Sequence, residues 1–151
     1  MSALTVKNQR LLADPSASPS ERRQPGDVGD IRLSRFLIAI VEDDQSVLEA
    51  LESLLESAGY EVLLYFSAED FLSANRFQDI DCLISDIGLP GMSGIELLRV
   101  VHASRVDLPV IIITACSEPT LVKAALDAGA HRAFVKPLNK ADLLGAIAVT
   151  P

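Results

Sequence analysis

From Phe36 onward one alternation governs the chain: short apolar runs, each followed by a segment whose apolar residues recur at helical spacing. A strand buried on both faces reads as such a continuous run, and a helix between two runs makes the crossover to a parallel neighbour. The runs are Phe36 to Val41, Tyr60 to Phe66, Asp81 to Ser85, Val110 to Thr114 and Ala133 to Val135. The first intervening helix carries Val47, Leu48, Leu51, Leu54, Leu55 and Ala58 and stops at Gly59; the second is short, from the capping segment Ser67-Ala-Glu-Asp70 to about Ala74. After the loop forced by Gly88-Leu-Pro-Gly91, Ser93 or Gly94 opens a helix through Leu97, Leu98 and Val101. Ser117 is the expected cap of the fourth helix, with Pro119 in its first turn and Leu121, Val122, Ala125 and Leu126 facing inward until Gly129. A last helix runs from about Asn139 to Ala148. The expected fold is α/β, a doubly wound five-stranded parallel sheet.

With 151 residues, 49% of them hydrophobic but only 5% aromatic and none Trp, the chain has enough apolar material for one aliphatic core. Residues 1–35 differ in character, with six Lys or Arg against four Asp or Glu and several Pro and Gly. They are expected to form a flexible leader, and residues 36–151 the globular domain. The domain holds seven basic against 17 acidic side chains, and the whole chain carries −8, a poor balance for a nucleic-acid ligand. The apolar runs fall far short of a bilayer span, and residues 1–25 lack the apolar core of a secretory signal. A cytoplasmic protein is expected, with no membrane and no nucleic-acid partner. Cys82 and Cys116 stand in apolar contexts without metal spacing, as buried reduced thiols would.

In a doubly wound sheet, ligands bind beyond the carboxyl ends of the strands. Glu42, Asp43 and Asp44 follow the first run, Asp86 the third, Thr114 ends the fourth, and Lys136 follows the fifth. Clustered carboxylates repel one another unless a cation sits among them, and a hard oxygen site suits Mg²⁺. Asp86, standing apart from the acidic run with a hydroxyl and an ammonium nearby, could attack phosphorus as a nucleophile. Plainer roles exist for each residue singly: Asp44 as a helix N-cap, Thr114 as a β-former, Lys136 as a solvated strand end. Their joint placement at four strand ends favours a site.

These residues resemble the receiver domain of two-component response regulators, the CheY-like fold, over about Phe36 to Val149. The resemblance rests on Ile40-Val-Glu-Asp-Asp44, on Leu83-Ile-Ser-Asp86-Ile-Gly-Leu-Pro-Gly-Met-Ser-Gly94, on Ile113-Thr114-Ala115, and on Gly129-Ala130 with Val135-Lys136-Pro137. The acceptor segment is most similar to that of FixJ-type regulators. The resemblance implies the flavodoxin-like strand order 2-1-3-4-5 and Asp86 as phospho-acceptor. It implies Asp43 as a direct Mg²⁺ ligand, Glu42 as a ligand through water, and the Gly88 carbonyl as another. By the same resemblance Asp44 is a helix cap, Thr114 hydrogen-bonds the phosphoryl group, Ala115 leaves room for access, Lys136 pairs with a phosphoryl oxygen, and the Lys136-Pro137 bond is cis.

One position departs from the family pattern. Where receivers usually carry Tyr or Phe, three residues before the Lys, this chain has Ala133, and strand alternation turns the neighbouring Phe134 to the other face. The implied function is a stand-alone receiver, a switch rather than an enzyme. It would be phosphorylated by a sensor histidine kinase or histidine phosphotransfer protein and would signal to a downstream protein. The last helix is apolar on more than one face, so part of it should be exposed, and that strip would favour either a homodimer through the fourth helix, fifth strand and last helix or a partner helix. Two alternatives stay open: a haloacid-dehalogenase-type phosphatase, which lacks its second Asp because Gly88 stands there, and a receiver-like module that works without phosphorylation, motivated by Ala133.

Overall fold

The computed structural model describes residues 36–115 and 117–150. The expected leader, Cys116 and Pro151 lie outside them. Five parallel strands, β1 (Leu37–Val41), β2 (Glu61–Tyr65), β3 (Cys82–Asp86), β4 (Val110–Thr114) and β5 (Arg132–Val135), form one sheet in the order β2-β1-β3-β4-β5. Five helices alternate with them: α1 (Gln45–Ser57), α2 (Ala68–Ala74), α3 (Gly94–Ser104), α4 (Pro119–Asp127) and α5 (Lys140–Ala148). This is the expected doubly wound sheet, and its order reverses between β1 and β3, where such sheets open a binding crevice.

Alternation along the strands divides the core in two. Ala39, Val41, Leu63, Tyr65, Leu83, Val110 and Ile112 pack on one face with Phe71, Leu97, Leu98 and Ala125 from α2, α3 and α4. Ile38, Ile40, Val62, Leu64, Ile84, Ile111 and Ile113 pack on the other with Leu48, Leu51 and Leu55 of α1 and Leu143 and Ile147 of α5. Because both faces are covered, β3 and β4 are buried throughout, which is why they read as unbroken apolar runs. Phe134 packs on the α1/α5 face and Ala133 on the opposite one, as the alternation requires. Cys82 is buried, and burial pushes its thiol up to about 12, with the charge of Asp81 adding to the effect.

Helix ends follow local chemistry. Asp44 caps α1, its Oδ1 accepting from the Ser46 and Val47 amides at 2.9 and 3.2 Å. Ser93 and Glu96 form a capping box at the start of α3, and Asn139 caps α5. Past Gly59 and Gly129 the chain closes the preceding helix, the Tyr60 amide donating to the Leu55 carbonyl and the Ala130 amide to that of Ala125.

Several expectations are corrected. Hydrogen bonding trims the first strand to start at Leu37 and the second to Glu61–Tyr65, while the third extends to include Asp86 and the fifth starts at Arg132. Ser117 is not the cap of α4: Glu118 holds that position without a side-chain cap bond, and Pro119 occupies the first turn. Leu126 does not face inward; it is 46% exposed, because α4 buries only a narrow stripe centred on Ala125. In α5, Leu143, Ala146 and Ile147 are buried while Gly145 and Ala148 are exposed, the divided burial that its all-round apolar character implied.

Candidate functional site

Strand parity builds the site. Ile38 and Ile40 of β1, Cys82 and Ile84 of β3, and Phe134 of β5 face α1 and α5. Two residues past the last of these on each strand come Glu42, Asp86 and Lys136, so each polar group extends the same face beyond its carboxyl end. The β1–β3 register pairs Ile40 with Ile84, which makes Glu42 level with Asp86 on the neighbouring strand. Thr114 has the parity of Ile112 and ends β4 buried, while Ala115 beside it is exposed.

Carboxylate oxygens of Glu42, Asp43 and Asp86 lie within 4.8 Å of one another. The Lys136 ammonium reaches across them, donating to Glu42 Oε1 at 2.8 Å and Asp86 Oδ2 at 3.4 Å. Lys136 precedes a cis peptide bond to Pro137. Glu42 is fully buried and Asp86 nearly so, whereas Asp43 is exposed. Burial raises the pKa of Glu42, against the hydrogen bonds donated by Lys136 and the Asp44 amide; the Asp86 charge pushes the same way as burial. Burial alone would lower that of Lys136, but the hydrogen bond to Glu42 and the charges of Glu42 and Asp86 raise it. Asp44 stays outside the cluster. Its pKa is lowered chiefly by the Ser46 hydroxyl, in keeping with its capping role.

The loop after Asp86 folds back onto the site through one main-chain contact. The Gly88 amide donates to Asp86 Oδ1 at 3.3 Å, and the Ile87 carbonyl accepts from Gly94 at 3.0 Å. A side chain at Gly94 would overlap the Asp86 carbonyl, so glycine is what lets α3 start hard against the end of β3. One contributor was not read as such from the sequence. Glu69, seen there only as part of a capping segment, accepts from the Met92 amide at 2.9 Å. No local pattern signals a bond spanning 23 residues.

The arrangement joins two buried carboxylates, one exposed carboxylate, an ammonium and a hydroxyl-bearing strand end at the mouth of a sheet. Three carboxylates against one ammonium leave a surplus of negative charge suited to a dication with oxygen ligands, and the donor set fits Mg²⁺.

Comparison with known proteins gives a consistent picture. The family described as "Response regulator receiver domain" matches residues 38–148. The chain is 38% identical over 128 residues to Response regulator protein TmoT of Ectopseudomonas mendocina, covering 83% of this chain and 58% of that protein. It is 34% identical over 110 residues to Transcriptional regulatory protein FixJ of Azorhizobium caulinodans, covering 73% and 52% respectively. The chain thus spans about half the length of such relatives. Among solved structures it resembles a CheY-like receiver domain protein from Methanospirillum hungatei, with a TM-score of 0.68, 33% identity and coverage of 74% of this chain and 90% of that one. It also resembles the BeF3-activated DrrB receiver domain, with a TM-score of 0.70, 29% identity and coverage of 76% and 95%. No helix among the described residues is long and apolar enough to cross a membrane.

Proposed function

The chain belongs to the response regulator receiver domain family, and from that premise we propose that it is switched by Mg²⁺-dependent transfer of a phosphoryl group to Asp86. The observation that carries the proposal is the packing of three carboxylates within 4.8 Å with one ammonium among them. Two buried carboxylates beside a third exposed one are costly to hold together for structure alone, and they are well matched to a dication and an incoming phosphoryl group.

Each residue then has a role. Glu42, Asp43, Asp86 and the Gly88 carbonyl would hold one Mg²⁺, which supplies charge neutralisation at the phosphoryl oxygens. An Asp86 carboxylate oxygen attacks phosphorus, a P–O bond forms, and the bond from phosphorus to the donor's imidazole nitrogen breaks. That nitrogen leaves with the electron pair and is neutral once released. Lys136, already bridging Glu42 and Asp86, pairs with a phosphoryl oxygen, and Thr114 donates its hydroxyl to another. Water later hydrolyses the acyl phosphate and regenerates the carboxylate. The donor is a phosphohistidine on a sensor histidine kinase or a phosphotransfer protein, and the receiver passes the signal through protein contact as a switch rather than a metabolic catalyst.

A second reading, a receiver-like module that works without phosphorylation, draws on Ala133, which offers no ring to follow Thr114. Intact-mass measurement after acetyl phosphate with and without Mg²⁺, on the natural chain and on Asp86→Ala, separates the two. A phosphoryl adduct that needs both Mg²⁺ and Asp86 is expected. No adduct, together with no binding of beryllofluoride, would overturn the phosphorylation reading in favour of the module.

A further inference from the structure

The loop from Gly88 to Ser93 begins at the acid cluster, where the Gly88 amide donates to Asp86 Oδ1, and its carbonyl is the main-chain ligand in the proposed metal site, yet most of its hydrogen bonds are local. Gly88 donates to Asp86 Oδ1, Leu89 to the Ile87 carbonyl, and Ser93 to Glu96 at the head of α3. Among the described residues, the Met92 amide ties the loop to an element outside its own flanks, donating to Glu69 Oε2 of α2 at 2.9 Å. The backbone is shaped to admit that carboxylate. Gly91 has φ +75°, and a Cβ there would lie 2.6 Å from Glu69 Oε2. A positive φ at Gly91 and a carboxylate filling the space its missing side chain leaves are two separate observations of one fitted contact.

We propose that Glu69 is a positioning residue for the metal site: through the Met92 amide it fixes the loop that presents the Gly88 carbonyl, without itself touching metal or phosphoryl group. This rests on the reading of Glu42, Asp43, Asp86 and Gly88 as Mg²⁺ ligands. A main-chain ligand cannot be tuned by its own side chain, so the remaining control over its placement is what holds the loop. Glu69 is exposed, and Leu89 and Met92 also pack against the core, so the loop keeps part of its order without the carboxylate. The expected effect is therefore a graded loss of Mg²⁺ affinity.

The test is a Mg²⁺ titration of the natural chain, Glu69→Ala, Glu69→Gln and Gly91→Ala, followed through backbone amide NMR shifts, with thermal midpoints taken alongside. Glu69→Ala should weaken Mg²⁺ binding about fivefold, below the usual range for residues that orient metal ligands because the contact is solvated. Glu69→Gln keeps an oxygen acceptor for the Met92 amide and should stay within about twofold of the natural chain. Gly91→Ala, which displaces the carboxylate and also strains the loop at a positive φ, should weaken binding at least as much as Glu69→Ala. Equal affinities for Glu69→Ala and a natural chain that binds Mg²⁺ would overturn the inference and leave the metal-site reading standing. A Glu69→Gln chain as weak as Glu69→Ala would also overturn it, since charge and not placement would then be at work. A natural chain that does not bind Mg²⁺ would overturn the metal-site reading and the inference together.

Discussion

The Lys136 ammonium sits 2.8 Å from Glu42 Oε1 but 3.4 Å from Asp86 Oδ2, so its shorter bond is to the fully buried carboxylate and not to the proposed acceptor. Its removal should cost stability before it costs chemistry. Lys136→Ala leaves Glu42 buried without its ammonium partner, and about 2 kcal/mol of folding stability should be lost in metal-free buffer at neutral pH. Added Mg²⁺ should return part of it by replacing the missing cation. Urea unfolding of the variant with and without Mg²⁺ is the measurement, and unchanged midpoints would show that the Glu42 contact contributes nothing.

The same charge surplus predicts a gain from removing the Asp86 carboxylate. Asp86→Asn deletes one carboxylate while Lys136 keeps its bond to Glu42, so the metal-free chain should be more stable by about 1 kcal/mol. Mg²⁺ at ten times its Kd should stabilise the natural chain by about 1.4 kcal/mol and the variant by far less. Thermal midpoints across a Mg²⁺ series decide this. A variant that is no more stable without metal would mean the cluster's repulsion is already relieved.

Much of this site is legible in the sequence for one physical reason: strand parity. Glu42, Asp86 and Lys136 follow buried residues of known parity, so their convergence can be reasoned from alternation once the sheet is known to be parallel. Helix signals that work by local chemistry, such as the Ser93 capping box and the stop at Gly59, are equally plain. What escapes is set by packing between elements distant in sequence. Leu126 has the spacing of an inward residue, but the depth of the stripe buried by α4 depends on how that helix lies over β5. Glu69 reaches Met92 only because the fold brings α2 beside the loop that follows β3.

Gly94 gives a sharp steric prediction. Its amide donates to the Ile87 carbonyl at 3.0 Å while a Cβ would run into the Asp86 carbonyl. The obstacle is main chain and cannot swing aside, so Gly94→Ala should destabilise the fold by about 3 kcal/mol despite the better helix propensity of Ala. Chemical denaturation checks it. A variant as stable as the natural chain would show that α3 can slide away from β3 at little cost.

Cys82 predicts how stability responds to alkaline pH. Burial pushes its thiol from 9.0 up to about 12, so between those values the unfolded chain releases a proton that the native state keeps. Native stability attributable to this group is complete below pH 9 and declines as pH rises toward 12, by about 1 kcal/mol per pH unit. In a Cys116→Ser background, the natural Cys82 chain should therefore lose stability between pH 9 and 11 more steeply than Cys82→Ala. A thiol reagent at pH 8 should label Cys82 only after unfolding. Parallel slopes, or rapid labelling of the folded chain, would contradict the burial.

Leu126 on α4 and Val135 on β5 are 46% and 38% exposed on adjoining elements. A homodimer through this face and α5 would cover them, and the rim is already furnished with charge, Lys123 pairing with Asp127 at 2.7 Å. Two half-exposed side chains contribute about 1 kcal/mol each when covered, too little to hold copies together tightly by themselves. Association should therefore be weak in the unmodified chain and strengthen when beryllofluoride and Mg²⁺ mimic the phosphorylated state. Leu126→Glu places a charge in the centre of the contact and should leave a monomer that still forms the phosphoryl adduct at Asp86. Sedimentation equilibrium at several concentrations reads both states. A natural chain that stays monomeric at high concentration with the mimic bound would remove the dimer and leave this face to a different protein partner.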